Sequence, residues 1–217
     1  MNILDKNINI KHLEDLMIHD GKIVPVPFSM IKDIPQEEIS LFCHKHALYQ
    51  FPTTELIDFI RNEIGGESAI EIGAGNGCIG RSVGIIMTDN MMQTWDDIKK
   101  VYSVTGQPTI TYGKDVEDIP ALDAVERFKP KVVVACWVTH KWHEGMATGN
   151  MYGVEEQDMF KLGVGKYIHI GNENHTTGHT YKPILNKYPV KKYRFPWLVS
   201  RSMQRELNTI YIFNSYK

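Results

Sequence analysis

The chain has 217 residues, of which 42% are hydrophobic and 23% are charged, and its formal net charge is -2. A chain of this length fits one α/β domain, and this composition is ordinary for a globular protein with a sizeable core. These values exclude a disordered chain, a collagen-like repeat and a disulfide-stapled mini-domain. Because neither sign of charge dominates, we expect no nucleic-acid partner and no membrane partner.

The three cysteines lie far apart, at positions 43, 78 and 136, and no CxxC pair occurs. An odd number of widely spaced cysteines is typical of free thiols in a reducing compartment. No apolar run reaches about 18 residues, and the N-terminus has neither a basic start nor a following apolar stretch. We therefore expect a cytoplasmic protein.

Residues 1–48 are predicted to form a helical extension, and 49–217 the main domain. Apolar residues at helical spacing predict one helix near position 13 and a second over 35–48, which has a proline in its first turn. A third helix is predicted over 53–64, between a threonine cap and a glycine pair.

From residue 68 short strands and helices alternate. Five strands are predicted over 68–75, 84–89, 109–115, 131–138 and 166–171, with helices at 76–83, 90–104, 119–128 and 154–163, and two tail strands over 193–200 and 208–214. This alternation predicts an α/β fold with a doubly wound, mostly parallel Rossmann-like sheet and an antiparallel C-terminal strand pair. Ligands of such sheets bind beyond the carboxyl ends of the strands, where strand order switches.

The first strand of this series runs into three glycines at alternate positions, Gly73, Gly75 and Gly77. Glycines let the backbone turn tightly and approach a ligand closely. Gly75, Gly77 and Gly80 spell the GxGxxG of dinucleotide sites, which leaves a nicotinamide-dependent oxidoreductase as an alternative. Read from Gly73, the motif is ExGxGxG with Glu71 in front. We favour this second interpretation, because an acid there is unfavourable beside a pyrophosphate and suits an ammonium or sulfonium group.

The stretch AIEIGAGNG resembles the first motif of class I S-adenosylmethionine-dependent methyltransferases, and the resemblance spans roughly 49–175. It implies S-adenosylmethionine as cofactor, with Glu71 facing the methionine ammonium and the three glycines beside it. It implies that Asp89, after the second strand, holds the ribose. It also implies that Asp115 and the Val116 backbone lie at the adenine. The upstream YQFPTTEL resembles the helix start that covers the methionine end in many relatives.

A closer resemblance links YGKDVEDIPALDAVERFKPKVVVACWVTHKW and GNMYGVEE to small methyltransferase-like proteins of bacteria and phages, a group that implies no particular substrate. Two features depart from the wider family. Only 18 positions separate Glu71 from Asp89 (89 − 71), so the helix between them must be short. ACWVTHKW replaces the (D/N/S)PP(Y/F/W) signature of amino-directed enzymes, and no Pro-Cys nucleophile is present.

The loops after the fourth and fifth strands are rich in histidine, and we predict His140 and His175 as catalytic residues. A histidine with a pKa near neutrality can remove a proton from an attacking oxygen or nitrogen. A metal site that adds His143, His179 and two glutamates is an alternative. No closed ligand spacing such as HExxH supports it, so we predict no metal.

The sequence therefore predicts an enzyme that transfers a methyl group from S-adenosylmethionine to a small-molecule or otherwise unidentified acceptor. The missing acceptor signature leaves one further alternative, a non-catalytic protein that binds S-adenosylmethionine or a nucleotide in a regulatory or anti-defence role. The sequence does not predict the oligomeric state.

Overall fold

A computed structural model describes residues 7–173 and 183–216. Their helices are α1 (Lys11–Met17), α2 (Gln36–Lys45), α3 (Thr54–Ile64), α4 (Cys78–Val83), α5 (Asp96–Val104), α6 (Ala121–Phe128) and α7 (Glu156–Lys161). Their strands are β1 (Ile18–His19), β2 (Lys22–Ile23), β3 (Ala69–Ile72), β4 (Ile86–Asp89), β5 (Glu117–Asp118), β6 (Val132–Cys136), β7 (Lys166–Asn172), β8 (Val190–Tyr193) and β9 (Asn208–Asn214). No helix in these ranges is long and apolar enough to cross a bilayer.

The main sheet of the described residues has seven strands in the order β5–β4–β3–β6–β7–β9–β8. The first five in this order run parallel to one another. β9 runs antiparallel to both β7 and β8. The predicted α/β fold, with its mostly parallel sheet and antiparallel C-terminal pair, is confirmed.

The strand order switches between β3 and β6. After β3 the chain places β4 and β5 on one side, and it later places β6 and β7 on the other. The loops that leave β3 and β6 therefore diverge, and a crevice opens between them at the carboxyl ends of the strands.

Both faces of the sheet are covered, which explains the continuous apolar run VVVAC of β6. On one face, Val133 and Ala135 pack in a cluster with residues of α6 and α7. On the other face, Val132 and Val134 pack with α3. The side-chain oxygen of Thr53 accepts the Leu56 N–H, which caps α3 as predicted.

The predicted strand over 109–115 is wrong. Its place in the sheet is taken by β5, which has two residues and begins only at Glu117. The backbone N–H of Ile110 donates to Gln93 Oε1 at 2.8 Å, and the Tyr112 hydroxyl accepts the Gln93 N–H at 3.3 Å. The alternating TITY pattern predicts a strand, but here the Gln93 side chain, rather than a neighbouring strand, provides the acceptor for the Ile110 N–H.

Two other predicted boundaries are also wrong. The tail strand expected over 193–200 lies earlier, at β8, because its ladder with β9 pairs Val190 with Phe213 and ends at Tyr193. The helix expected over 90–104 is divided into a 3-10 turn and α5, because Trp95 has an extended backbone.

The helical extension packs against the C-terminal part of the chain. Leu13, Met17 and Phe42 share a buried cluster with Phe51 and Val199. The division of the chain after residue 48 stays a prediction, since this cluster joins residues from both sides of it.

Candidate functional site

A cavity of about 590 Å³ opens at the switch of strand order. Its lining comes from Gly73 after β3, Asp89 and Asn90 at the end of β4, Ile119–Asp123 after β5, and Cys136–Thr139 after β6, together with residues of the loops above them. A second cavity of about 60 Å³ adjoins it and is lined by Glu71, Gly75 and Asn76 among others. Tyr49, Gly73, Ile110 and Cys136 line both cavities.

The glycine loop adopts a backbone that requires glycine. Gly73, Gly75 and Gly77 have φ values of 59°, 58° and 75°, in the left-handed region. A Cβ on Gly73 would lie 2.5 Å from Val138, and one on Gly77 would lie 2.9 Å from three side chains. Gly73 and Gly75 line the cavities, whereas Gly77 turns the chain into α4.

Five N–H groups of this loop and of the start of α4 have acceptors within the protein. Ala74 donates to the Thr88 carbonyl (3.0 Å), Gly75 to Asp89 Oδ2 (2.9 Å), Gly77 to the Ala74 carbonyl (2.9 Å), Cys78 to Asn76 Oδ1 (2.9 Å) and Gly80 to Glu71 Oε2 (2.8 Å). Two of these acceptors are carboxyl groups. A pyrophosphate bound as in dinucleotide sites uses such N–H donors at a helix N-terminus, and here these five are occupied.

Glu71 is 1% exposed, in the middle of the sheet. Burial raises the pKa of its carboxyl group to about 8, because water no longer solvates the charged form. The Gly80 N–H opposes this rise, while the nearby Asp89 adds to it and Arg81 lowers the pKa. By itself the carboxyl group therefore holds its proton at neutral pH, whereas a positive charge bound beside it would lower its pKa and favour the carboxylate.

Asp89 lies at the end of β4 and on the wall of the larger cavity. One of its carboxyl oxygens accepts the Gly75 N–H, and the other accepts the Met91 N–H at 2.8 Å. Burial raises the pKa of this carboxyl group, and these two N–H bonds oppose the rise. Asp89 thus fixes the glycine loop to β4, and its two oxygens have further lone pairs beyond these two bonds.

Asp115 and Val116 lie outside the lining of both cavities. The Asp115 carboxylate pairs with the Arg81 guanidinium at 2.6 Å, which lowers the pKa of Asp115. Val116 is buried beneath Gly77. The adenine assignment assumed a third strand that ends at Asp115, whereas β5 ends at Asp118.

The structure describes only one of the two predicted catalytic histidines. His140 is 1% exposed, and its Nε2 lies 3.1 Å from the Thr148 carbonyl oxygen. Its neighbours Thr139 and Lys141 line the larger cavity, but His140 does not. His175 lies outside the described residues.

Aromatic residues form much of the cavity wall: Tyr49, Tyr102, Tyr112, Trp137 and Tyr152. The Tyr49 and Tyr102 hydroxyls are 2.8 Å apart. Burial raises the pKa of Tyr102 and that of Tyr112, so both phenols stay neutral. The resemblance of YQFPTTEL indicated the Tyr49 region, but no local pattern distinguishes Tyr102 or Tyr112 from core residues.

No family model matches the sequence, and no curated protein matches it. Among solved structures, the METTL16 methyltransferase domain matches with 14% identity and a TM-score of 0.43, over 98% of this chain and 94% of that chain. The 16S rRNA methylase ArmA matches with 11% identity and a TM-score of 0.41, over 97% of this chain and 100% of that chain. A Staphylococcus aureus protein described as a caffeoyl-CoA O-methyltransferase also matches, with 12% identity and a TM-score of 0.42, over 95% of this chain and 99% of that chain. All three are described as methyltransferases or methylases. Likeness at this level concerns the fold and assigns no activity to the chain.

Proposed function

We propose that the chain binds S-adenosylmethionine in the two adjoining cavities and transfers its methyl group to a small-molecule acceptor. The observation that carries the proposal is the glycine loop at the switch point, where Glu71 and Asp89 occupy backbone donors that a pyrophosphate would need. Carboxyl groups at these positions suit a ligand with a positive charge and free hydroxyls. The larger cavity, about 590 Å³, is also within the usual range for small-molecule sites.

The same observation disfavours a nicotinamide-dependent oxidoreductase. In addition, a dinucleotide-binding sheet has a sixth parallel strand beside the fifth. Here the antiparallel β9 lies beside β7.

Each part of the ligand has a proposed contact. The backbone of Gly73 and Gly75 approaches the methionine part, and Glu71 faces its ammonium group from the smaller cavity. Asp89 accepts from the ribose hydroxyls. The adenine contact moves from Asp115 and Val116 to the lining segment 119–122, which follows β5.

When bound, S-adenosylmethionine supplies an electrophilic methyl group for in-line displacement by the acceptor. The residues of the chain align the acceptor and exclude water, and such alignment lowers the barrier by removing entropy in advance. His140 and His175 remain the proposed bases for an acceptor that must lose a proton. In the described conformation His140 contacts Thr148, so this role requires that contact to break.

Calorimetric titration with S-adenosylhomocysteine and with NADH tests the proposal. We expect S-adenosylhomocysteine to bind and NADH not to bind. Gly75→Val should abolish binding, whereas Gly66→Val should retain it. Gly66 has φ +84° and open space around it, so this control carries a similar backbone strain away from the cavities.

Binding of NADH alone would overturn the proposal. Mass spectrometry after incubation with labelled S-adenosylmethionine and a cell extract then tests transfer. A labelled product supports an enzyme, whereas binding without any product supports the non-catalytic alternative.

A further inference from the structure

Trp137, directly after β6, has an unusual backbone. Its φ is +59°, in the left-handed region that large side chains rarely adopt. Strained backbone of this kind persists only where the surroundings hold it, and it is often found at functional sites. Trp137 is 8% exposed and lines the larger cavity.

Hydrogen bonds from two directions hold Trp137. Its backbone N–H donates to the Ile170 carbonyl in β7 at 2.7 Å. Its indole Nε1–H donates to Gln50 Oε1 at 3.2 Å. The following carbonyl, of Val138, lies 3.1 Å from His169 Nε2. The first and third contacts hold the backbone, and the second sets the direction of the ring.

The Gln50 side chain is itself fixed. It is 5% exposed, and its Nε2 donates to the Val199 carbonyl at 2.5 Å. An amide whose nitrogen is used in this way must present its oxygen on the opposite side, which is where the indole lies. Gln50 lines the smaller cavity, so the bonded pair spans the boundary between the two cavities.

We propose that Gln50 is a positioning residue that holds the Trp137 ring in place as part of the wall of the larger cavity. The proposal rests on the proposed function, in which these cavities receive the cofactor and the acceptor. Without Gln50 the indole loses this hydrogen bond and the ring turns into the larger cavity, while the contacts that hold the backbone remain.

A double-mutant cycle tests the proposal with Gln50→Leu, Trp137→Phe and the double variant. The first variant removes the acceptor and the second removes the donor, while the double variant leaves neither group unpaired. We expect each single variant to weaken S-adenosylhomocysteine binding by about tenfold, and the double variant to weaken it by much less than the product of the two. Contacting residues show this kind of coupling, whereas independent residues do not.

The matched control is Gln36→Leu. Gln36 also ties the N-terminal part of the chain to C-terminal carbonyls, those of Ser200 and Ser202, at 2.9 Å each, but it does not contact Trp137. If Gln50 merely anchored the chain to Val199, both glutamine variants would lower stability, and neither would change the surroundings of Trp137.

Emission of Trp137, recorded after Trp95, Trp142 and Trp197 are replaced by Phe, provides a readout that needs no ligand. We expect Gln50→Leu to shift this emission to longer wavelength and Gln36→Leu to leave it unchanged. The same double-mutant cycle is also measured by urea unfolding, which needs no ligand. Unchanged emission in Gln50→Leu would overturn the positioning role, and so would additive effects of the two substitutions on the free energy of unfolding. Failure of the wild-type chain to bind S-adenosylhomocysteine would instead refute the proposed function, because the emission and unfolding measurements still decide the role of Gln50.

Discussion

Asp89 has two structural roles. Its carboxyl oxygens accept the N–H groups of Gly75 and Met91, so it shapes the glycine loop as well as the cavity wall. The helix before β4, α4, has only six residues, and Asp89 still ends its strand at the cavity wall.

Replacing Asp89 by Ala should weaken S-adenosylhomocysteine binding by about 1.5–3 kcal/mol, the range for hydrogen bonds to a charged group. It should also lower stability, because two N–H groups lose their acceptor. Calorimetry and urea unfolding measure the two effects. Asp118→Ala is the control, since Asp118 is the exposed register partner of Asp89 on β5. Wild-type affinity in Asp89→Ala would mean that another residue holds the ribose.

Glu71 makes the stability of the chain depend on pH. Its pKa is about 8 in the folded chain and near the ordinary value for Glu when unfolded. Between these values the unfolded chain binds fewer protons than the folded chain, so stability falls as pH rises. The slope contributed by this group is at most about 1.4 kcal/mol per pH unit, and it ends above the folded pKa.

Urea unfolding of wild type and Glu71→Gln from pH 5 to pH 9 measures this contribution. The stability of the wild type relative to Glu71→Gln should fall up to about pH 8 and then level off. If the stability of the wild type relative to Glu71→Gln instead rises with pH over this range, the folded chain favours the charged carboxylate.

Residues 107–116 form a loop that packs on the glycine loop, instead of the predicted strand. Ile110 faces Gly75, and the Arg81–Asp115 ion pair connects the C-terminal end of this loop to α4. The Asp115 side chain is 44% exposed. Half-exposed ion pairs of this kind contribute only about 0–1 kcal/mol.

Asp115→Ala should therefore leave S-adenosylhomocysteine affinity within about 0.5 kcal/mol of wild type, and it should lower stability by no more than about 1 kcal/mol. Calorimetry and urea unfolding again provide the measurements. A tenfold loss of affinity would return Asp115 to the adenine site.

The loop 139–155 depends on His140. The buried imidazole contacts the Thr148 carbonyl, and Gly153 packs so closely on the His140 carbonyl that a Cβ would lie 2.2 Å from its oxygen. His140→Ala should lower the free energy of unfolding by about 1–3 kcal/mol, because a buried polar group loses its partner. The exposed His143, in the same loop, is the control.

His140→Ala should leave S-adenosylhomocysteine affinity unchanged. Once an acceptor is known, a fall in turnover by about 10²–10⁴ would support His140 as the general base. An effect on stability alone would limit His140 to holding the loop.

For the whole molecule, the extension and the sheet share one core. Phe42 and Val199 are both fully buried in the same cluster, although 157 positions separate them (199 − 42). We therefore expect a single cooperative unfolding transition. Phe42→Ala should lower the free energy of unfolding by about 3–5 kcal/mol, whereas Met30→Ala, at a residue 55% exposed, should have little effect. Two separate transitions, with Phe42→Ala affecting one of them, would support an independent extension.

Features that depend on neighbouring residues were predictable from the sequence alone. The threonine cap and terminal glycine of α3, the apolar run of β6 and the alternation of strands and helices carry local signals. The same local signals predicted Glu71, Gly73, Gly75 and Asp89 as site residues, since each lies in a strand of the sheet or in the loop after one. The structure places these four residues at the cavities.

The hydrogen-bond partners of the extended segments depend on the tertiary structure and could not be predicted from the sequence. The segment 109–115 has a strand-like pattern, yet Gln93 satisfies its N–H and hydroxyl groups, and the third strand shrinks to two residues. The aromatic cavity wall has the same origin: Tyr49, Tyr102 and Trp137 come from three distant parts of the chain. Their approach is set by the packing of whole elements, and no spacing within the sequence encodes a contact between residues so far apart.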